Sequence, residues 1–325
     1  MRNKLMIVAV LAILVSAAVV LQMRSEDRGD ELTSRELLSA EQLEQLATLE
    51  RITLTRGESK VELAQFDGSW GVLNHAGFPV QRERLAALLH ALRGARVIEE
   101  KTSNPEHHAR LGLDTEASAD APLQVQLHPA GQDFGVIYGN PVGNGQLVRF
   151  IGNDQVLLIN RGLNMSVNPT DWLALNIVDI SLTQVAKARW EHADGEVLEL
   201  TKQAEGDYNL RLAGLSEQEQ GGNERWVNSM VLALVNLTVQ NVALREELAL
   251  PEPMLRMHVS TWAGSELEAS LYEIEGRYWL LMDRFNRASE DSELQVNADP
   301  RWAYQIGIAQ LESLNKRQAD VIRTP

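Results

Sequence analysis

One stretch of this chain, residues 52–98, occurs twice, and this repetition restricts the fold more than any other feature of the sequence. Its strand-like part reads VELAQFDGSWGV (Val61–Val72) and returns as LELTKQAEGDYNL (Leu198–Leu210). Its helical part, RERLAALLHALR (Arg82–Arg93), returns as RWVNSMVLALVNL (Arg225–Leu237). Both helical parts place apolar residues at positions i, i+3, i+4 and i+7, the spacing of one buried helical face. The pattern therefore predicts one structural unit that is used twice.

From this repeat we predict an α+β protein: an N-terminal transmembrane helix followed by two similar lobes of antiparallel sheet, each packed with a helix. Short alternating runs such as Ile52–Arg56 are typical of half-buried strands. The predicted divisions are a transmembrane signal anchor at 1–23, a linker and short helix at 24–50, a first lobe at 51–165, a second lobe at 166–300, and a C-terminal helix and tail at 301–325.

The N-terminus has the pattern of a membrane span. Residues 5–23 are apolar except for Ser16 and Gln22, and Arg2 and Lys4 precede them. A run of this length is about enough to cross a bilayer as a helix. A cleavable signal peptide is the rival interpretation. The positive-inside tendency places the N-terminus of this single-pass protein in the cytoplasm and the main domain, from about residue 24 onward, on the other side of the membrane.

Charge and cysteine content exclude several classes of function. The 325 residues carry a net charge of −15 and contain no cysteine. An acidic chain without Lys/Arg-rich runs does not favour nucleic acid as a partner. The lack of cysteine excludes disulfides, thiolate metal sites and a cysteine nucleophile.

The titratable residues form no recognisable catalytic or metal-binding motif. His107 and His108 are adjacent, so their side chains point apart on a regular element, and no HExxH pattern accompanies them. The pairs Glu99–Glu100 and Glu246–Glu247 are typical of solvated carboxylates. The remaining histidines are scattered: His75, His90, His128, His192 and His258. We predict no catalytic, cofactor-binding or metal-ligating residue and no cofactor, and the chain is not predicted to be an enzyme.

Two further features have plain structural interpretations. The glycine-rich segment Gly139–Gly145 lacks the Gly-Lys-Ser/Thr ending of a phosphate-binding loop and is flanked by strand patterns, which favours a hairpin turn. The tryptophans are candidates for sugar-stacking platforms, but their alternating or helical spacing favours core packing. They are Trp70, Trp172, Trp190, Trp226, Trp262, Trp279 and Trp302.

Several of these motifs together resemble a bacterial family, the domain of unknown function numbered 4340. They are the N-terminal apolar run, DGSW (Asp67–Trp70), FPVQRERL (Phe78–Leu85), LGLD (Leu111–Asp114) and Trp172-Leu173. The resemblance implies a membrane-anchored envelope protein, often encoded beside ABC transporters of the gliding-motility type. For this chain it implies a single-pass protein of the bacterial inner membrane with its main domain in the periplasm. It implies no catalytic motif.

The leading hypothesis is therefore a membrane-anchored periplasmic accessory subunit of an ABC transporter or envelope complex that acts by protein–protein interaction. Its expected partners are the membrane, through the single span, and membrane proteins such as transporter subunits. The alternative is a periplasmic binding module for a glycan, lipid or peptide in a groove between the lobes. An unrecognised hydrolase is a third possibility, which a cluster of buried titratable groups would favour.

Overall fold

The computed structural model describes residues 34–116, 120–215, 224–291 and 294–322. Within these ranges the chain forms two compact units. The first unit comprises residues 34–65 and Glu83–Asn168, and the second comprises Phe66–Arg82 and residues 169–322. The predicted division into lobes at residue 165 stays a prediction. The segment Phe66–Arg82 belongs to the second unit, because most of its contacts are with that unit.

Strands account for most of the regular structure. Up to residue 168 they are β1 (Arg35–Glu36), β2 (Leu49–Arg56), β3 (Ser59–Phe66), β4 (Ser69–Val72), β5 (Phe78–Pro79), β6 (Arg96–Glu100), β7 (Leu123–Pro129), β8 (Phe134–Val142), β9 (Gly145–Phe150) and β10 (Leu157–Ile159). The remaining strands are β11 (Asn176–Asp179), β12 (Val185–His192), β13 (Val197–Thr201), β14 (Arg211–Leu212), β15 (Asn236–Thr238), β16 (Asn241–Leu244), β17 (Leu255–Thr261), β18 (Glu266–Ile274), β19 (Arg277–Asn286), β20 (Gln295–Val296) and β21 (Trp302–Ile306).

The strands pair into three antiparallel sheets. In the first unit the order is β1-β6-β10-β9-β8-β7-β2-β3. The second unit contains an eight-stranded sheet, β14-β13-β12-β17-β18-β19-β21-β16, and a three-stranded sheet, β15-β11-β20. The order β6-β10-β9-β8-β7-β2-β3 of the first unit recurs in the second as β16-β21-β19-β18-β17-β12-β13. The two units therefore contain equivalent strands, which permits a position-by-position comparison of their sheets.

The helices are short. They are α1 (Ala40–Gln45), α2 (Arg82–Gly94), α3 (Glu224–Val235), α4 (Ile308–Leu314) and α5 (Gln318–Val321). Helix α1 begins with the capping box that Ser-Ala-Glu-Gln predicts: Ser39 Oγ accepts from the Gln42 backbone N–H, and Gln42 Oε1 accepts from the Ser39 N–H. Helix α3 buries Val227, Met230 and Leu234 and packs against α4. The i, i+3, i+4, i+7 pattern thus identifies its buried face.

The predicted fold class, an α+β protein with a transmembrane helix and two sheet-plus-helix lobes, is wrong. The described residues form mainly antiparallel sheet, and β11, β15 and β20 form a separate sheet that local patterns did not predict. The reason is that β15 and β20 contain only three and two residues. Strands this short leave almost no periodic signal in the sequence.

The predicted single-pass, inner-membrane localisation is also corrected. The predicted span at 1–23 lies outside the described residues. Among residues 34–322, as far as they are described, no helix is long and apolar enough to cross a bilayer. The longest, α2, has 13 residues, whereas a crossing helix needs about 20. The structure thus provides no support for the transmembrane and periplasmic assignments.

The C-terminal helices are held against the β12–β13 hairpin by hydrogen bonds from buried side chains. Trp190 Nε1 donates to the Leu314 carbonyl at 3.0 Å, and His192 Nε2 lies 3.1 Å from the Lys316 carbonyl. The Trp190 ring is fully buried and His192 is 2% exposed. These bonds provide partners for polar groups that burial removes from water. They also join the end of the chain to the eight-stranded sheet of the second unit.

An ion-pair cluster closes the same junction. Arg317 Nη1 lies 2.7 Å from an Asp194 carboxylate oxygen and 3.0 Å from one of Glu196. The Gln318 N–H donates to Glu196 at 2.6 Å. These bonds to Arg317 and to the backbone lower the pKa values of both carboxyl groups. We call residues 308–322 with this hairpin the C-terminal clamp.

Stability is expected to fall with acidification because of His192. Burial lowers the pKa of His192 below its ordinary value of 6.5, and the nearby Arg317 guanidinium lowers it further. The unfolded chain therefore takes up a proton that the folded chain resists, and the native state loses stability as the pH falls below about 6.5. The Asp194 and Glu196 carboxylates oppose this shift without reversing it.

The test is the melting temperature of the wild type and His192→Gln between about pH 5 and 8. Gln keeps a donor for the Lys316 carbonyl but does not titrate, so the variant is expected to lose less stability on acidification. His75, whose pKa is also lowered by burial, remains in both proteins, so their difference isolates His192. Parallel curves for the two proteins would contradict the assignment.

Candidate functional site

The eight-stranded sheet of the second unit exposes one face that is dense in charge. Strands β12, β17 and β18 alternate buried apolar residues with polar ones because successive side chains of a strand point to opposite faces. We define the polar face by the polar residues of β12, β17, β18 and β19: Lys187, Arg189, Glu191, Arg256, His258, Ser260, Glu266, Glu268, Ser270, Asp283 and Arg284.

The strand register aligns four of these residues with Glu199 of β13 into one polar row across five strands. In this row each residue stands directly opposite the next one on the neighbouring strand. In the order β13, β12, β17, β18 and β19, the residues are Glu199, Arg189, His258, Glu268 and Arg284. Directly opposite side chains in antiparallel strands lie close enough to interact. The guanidinium of Arg189 pairs with Glu199, and that of Arg284 with Glu268. We call this row the charge ladder.

A second polar row lies beside the ladder and forms a shallow cavity with it. Arg256 stands opposite Glu191 on one side and opposite Ser270 on the other. Ser270 Oγ donates to Asp283 Oδ2 at 2.6 Å. The cavity measures about 440 Å³, and Tyr272 lines it together with residues of both rows. The polar face thus combines fixed positive and negative groups with a concave centre.

A buried polar cluster fixes the turn at one end of this face. The Asp291 carboxylate accepts from the hydroxyls of Thr261 and Ser265, the latter at 2.5 Å. Ser265 Oγ in turn accepts from the Ala288 N–H at 2.9 Å. All three polar side chains are at most 6% exposed. The cluster ties the end of β17, the start of β18 and the segment after β19 together, and so stabilises the register that builds the ladder.

The first unit contains a larger cavity of about 840 Å³. Its lining includes Arg56 and Glu58 from the β2–β3 turn, and Asn140 and Gln146 from β8 and β9. Gln146 Nε2 donates to the Gly139 carbonyl at 2.9 Å, so this amide supports the hairpin. Several of the polar groups there thus hold the local backbone, and we regard the charge ladder as the better candidate site.

The histidine and glutamate pairs singled out in the sequence lie away from the ladder. His108 is buried, with Nε2 3.1 Å from the Asp154 carbonyl, and His107 Nδ1 lies 3.5 Å from Thr102. Glu99 and Glu100 are exposed and pair with Lys101 and Arg35. Glu246 and Glu247 lie exposed in a short 3-10 helix. His90 is exposed on α2.

The glycine-rich segment forms a hairpin, and most of the tryptophans pack in the core. Residues 139–145 form the end of β8, a turn and the start of β9, in agreement with the predicted hairpin. Trp172, Trp190, Trp279 and Trp302 are buried. Trp226 is 47% exposed, with Lys316 Nζ 4.6 Å from its ring centroid.

Sequence reasoning did not identify the ladder. His258 was grouped with the scattered histidines, and Arg189, Glu268 and Arg284 were not singled out. Glu268 follows His258 by ten positions, and only the β17–β18 register places the two residues opposite each other. One signal in the sequence could have indicated the ladder: polar and apolar residues alternate on both sides of the Trp262–Gly264 turn, which is the pattern of two paired strands.

The fold and this face define a class of protein: a chain of two units with equivalent antiparallel strands, one of which carries an exposed charge ladder. The chain belongs to the family described as domain of unknown function DUF4340, whose profile matches residues 70–253. This match confirms the family resemblance seen in the motifs. No curated protein and no solved structure matches the chain.

Proposed function

We propose that this chain is an accessory subunit that binds another protein through the polar face of its second unit. The proposed setting is the transporter or envelope complex that the family resemblance implies, with transporter subunits as partners. The charge ladder is the observation that carries the proposal. An exposed face with charges of both signs at fixed spacing selects a partner of complementary pattern and speeds its association.

The ion pairs within the face support this role better than a role in stability. The side chains of Arg189, Glu199 and Arg284 are about half exposed. Exposed ion pairs contribute about 0–1 kcal/mol to stability. The two such pairs in the ladder, with His258 between them, therefore add little to the fold, but they give the face a defined electrostatic pattern.

The proposal is tested by cross-linking and affinity purification of the full chain from cells that express it, followed by mass spectrometry. Wild type is expected to recover defined partner subunits. Arg189→Glu combined with Arg284→Glu is expected to lower recovery about tenfold or more, because like charges then oppose the partner. Recovery by the wild type is also expected to fall in high salt, since screening shortens the reach of exposed charges.

The matched control is Arg51→Glu. Arg51 is an exposed arginine on β2, and its place in the first unit is equivalent to that of Lys187 on the polar face. This variant is expected to recover the same partners as the wild type. Equal loss in the control, or unchanged recovery in the double variant, would contradict the proposed surface.

The alternative function is a binding module for a glycan or peptide, and the 840 Å³ cavity of the first unit favours it. Its volume lies within the range of about 300–1,000 Å³ that is usual for ligand sites, and its polar side chains offer hydrogen bonds to a polar ligand. A purification in which the wild type recovers only itself would favour this alternative over the accessory-subunit role.

A further inference from the structure

Three side chains with metal-binding atoms lie together on the polar face. His258 and Glu268 stand directly opposite each other on β17 and β18. Glu266 lies two residues before Glu268 and therefore on the same face of β18. One donor atom from each of the three lies within 4.8 Å of the others. The backbone of two paired strands fixes this arrangement.

We propose that His258, Glu266 and Glu268 bind one divalent first-row transition-metal ion of the Zn²⁺ type. One imidazole nitrogen and two carboxylate oxygens are ligands that Zn²⁺ accepts at about 2.0–2.2 Å. The donor atoms now lie within 4.8 Å of one another, so metal binding requires the two glutamate side chains to rotate until their oxygens reach that distance from the ion. The imidazole selects against Mg²⁺ and Ca²⁺, which prefer oxygen ligands only. Three protein ligands leave a position open to water or to a group of a partner.

The surroundings of His258 leave its ring available. The guanidinium of Arg189, its neighbour on β12, is bound by Glu199 of β13 and by Glu191 of its own strand. No hydrogen bond joins the His258 ring to another side chain in the part of the chain that the structure describes. The imidazole therefore faces the two carboxylates without a competing partner of its own.

The first unit shows that the shared architecture does not require these ligands. The equivalent positions, read from the strand registers, are Gln126 for His258, Asp133 for Glu266 and Gly135 for Glu268. A Cβ atom at Gly135 would lie 2.9 Å from the Val125 carbonyl oxygen and collide with the Ile151 side chain. A glutamate is thus excluded from that position. The three-ligand set belongs to the second unit alone.

Arg284 competes with the metal for the carboxylates. Its guanidinium pairs with Glu268 and lies 3.5 Å from Glu266. Metal binding must displace this ion pair, and the Arg284 side chain, about half exposed, is free to swing into solvent. Removing the guanidinium is therefore expected to strengthen metal binding, although it removes an ion pair. If these glutamates served only to form ion pairs with Arg284, removal of the guanidinium would not increase the affinity for metal.

The experiment is isothermal titration of the full chain with Zn²⁺ in a buffer that does not bind metal. Wild type is expected to bind one equivalent saturably. His258→Gln and Glu268→Gln are expected to weaken binding about tenfold or more, and Arg284→Gln is expected to strengthen it several-fold. His128→Gln is the matched control: His128 pairs with one carboxylate, Asp133, at 2.7 Å, and this variant is expected to bind as the wild type does.

Circular dichroism and melting temperature establish that each variant is folded. The proposal is overturned if folded wild type shows no saturable Zn²⁺ binding, or if His258→Gln binds as tightly as the wild type. Unchanged affinity in Arg284→Gln would likewise reject the arrangement described here. No partner protein is present in this titration, so its outcome is independent of the proposed accessory-subunit function.

Discussion

Replacing Trp190 by alanine is expected to lower the free energy of unfolding by about 3–5 kcal/mol. The ring is fully buried, between the positions of Leu198 on β13 and Met257 on β17. Its indole N–H also donates to the Leu314 carbonyl at 3.0 Å. The substitution therefore opens a cavity beside the eight-stranded sheet of the second unit. It also leaves the Leu314 carbonyl, which belongs to the C-terminal clamp, without its hydrogen-bond donor. Urea denaturation of the full chain measures the effect.

Two further variants separate packing from hydrogen bonding. Trp190→Phe fills most of the space but cannot donate, so it is expected to cost about 1–2 kcal/mol. Trp226→Ala removes an exposed ring whose contacts are with Lys316 and Arg225, and it is expected to cost about 1 kcal/mol or less. If Trp190→Phe were as damaging as Trp190→Ala, the hydrogen bond rather than the packing would dominate.

Asp291→Ala is expected to destabilise the chain by about 2–4 kcal/mol. The substitution leaves the Thr261 and Ser265 hydroxyls buried without their shared acceptor. Hydrogen bonds to a charged acceptor are stronger than neutral ones, and orphaned buried donors carry the full penalty of lost hydration. Loss of this cluster also loosens the β17–β18 turn that holds the charge ladder in register. Denaturation followed by tryptophan fluorescence measures the change.

The control for this prediction is Asp283→Ala. Asp283 also accepts a bond from a serine hydroxyl, that of Ser270, but its own side chain is exposed. Ser270 is itself only 5% exposed, but it lines the open cavity of about 440 Å³ together with Asp283. Removal of the exposed Asp283 side chain therefore lets water replace the lost bond, and the expected loss is about 1 kcal/mol or less. A double-mutant cycle of Asp291→Ala with Thr261→Val is expected to show a coupling of about 1–3 kcal/mol. Additive effects would mean that the two side chains do not act together.

The sequence predicted local elements well where several periodic residues were available. The apolar spacing of Arg82–Arg93 identified a helix that the structure places at Arg82–Gly94. Alternation at Ile52–Arg56 identified the last five residues of β2. Each of these signals arises from one segment and its own periodicity, so no knowledge of distant residues was required.

The candidate site was not predictable in the same way. His258 and Glu268 are ordinary polar residues of two strands, and Arg189 comes from a third strand about 70 residues earlier along the chain. Their proximity depends on which strands pair and in which register. A shift of one residue in β18 would turn Glu268 to the opposite face of the sheet. No motif in the sequence encodes that register.

The sequence by itself determined the family, the twofold use of one pattern of strands and helix, and the exclusion of cysteine chemistry. These properties are local or compositional. Only the tertiary structure decided that the short strands β11, β15 and β20 form a sheet of their own and that Phe66–Arg82 groups with the second unit. It also decided that four charged side chains and one histidine, from five strands, stand in one row. The physical reason is that each of these features is set by packing and by hydrogen bonds between strands far apart in the chain, and these leave no periodic trace within any one segment.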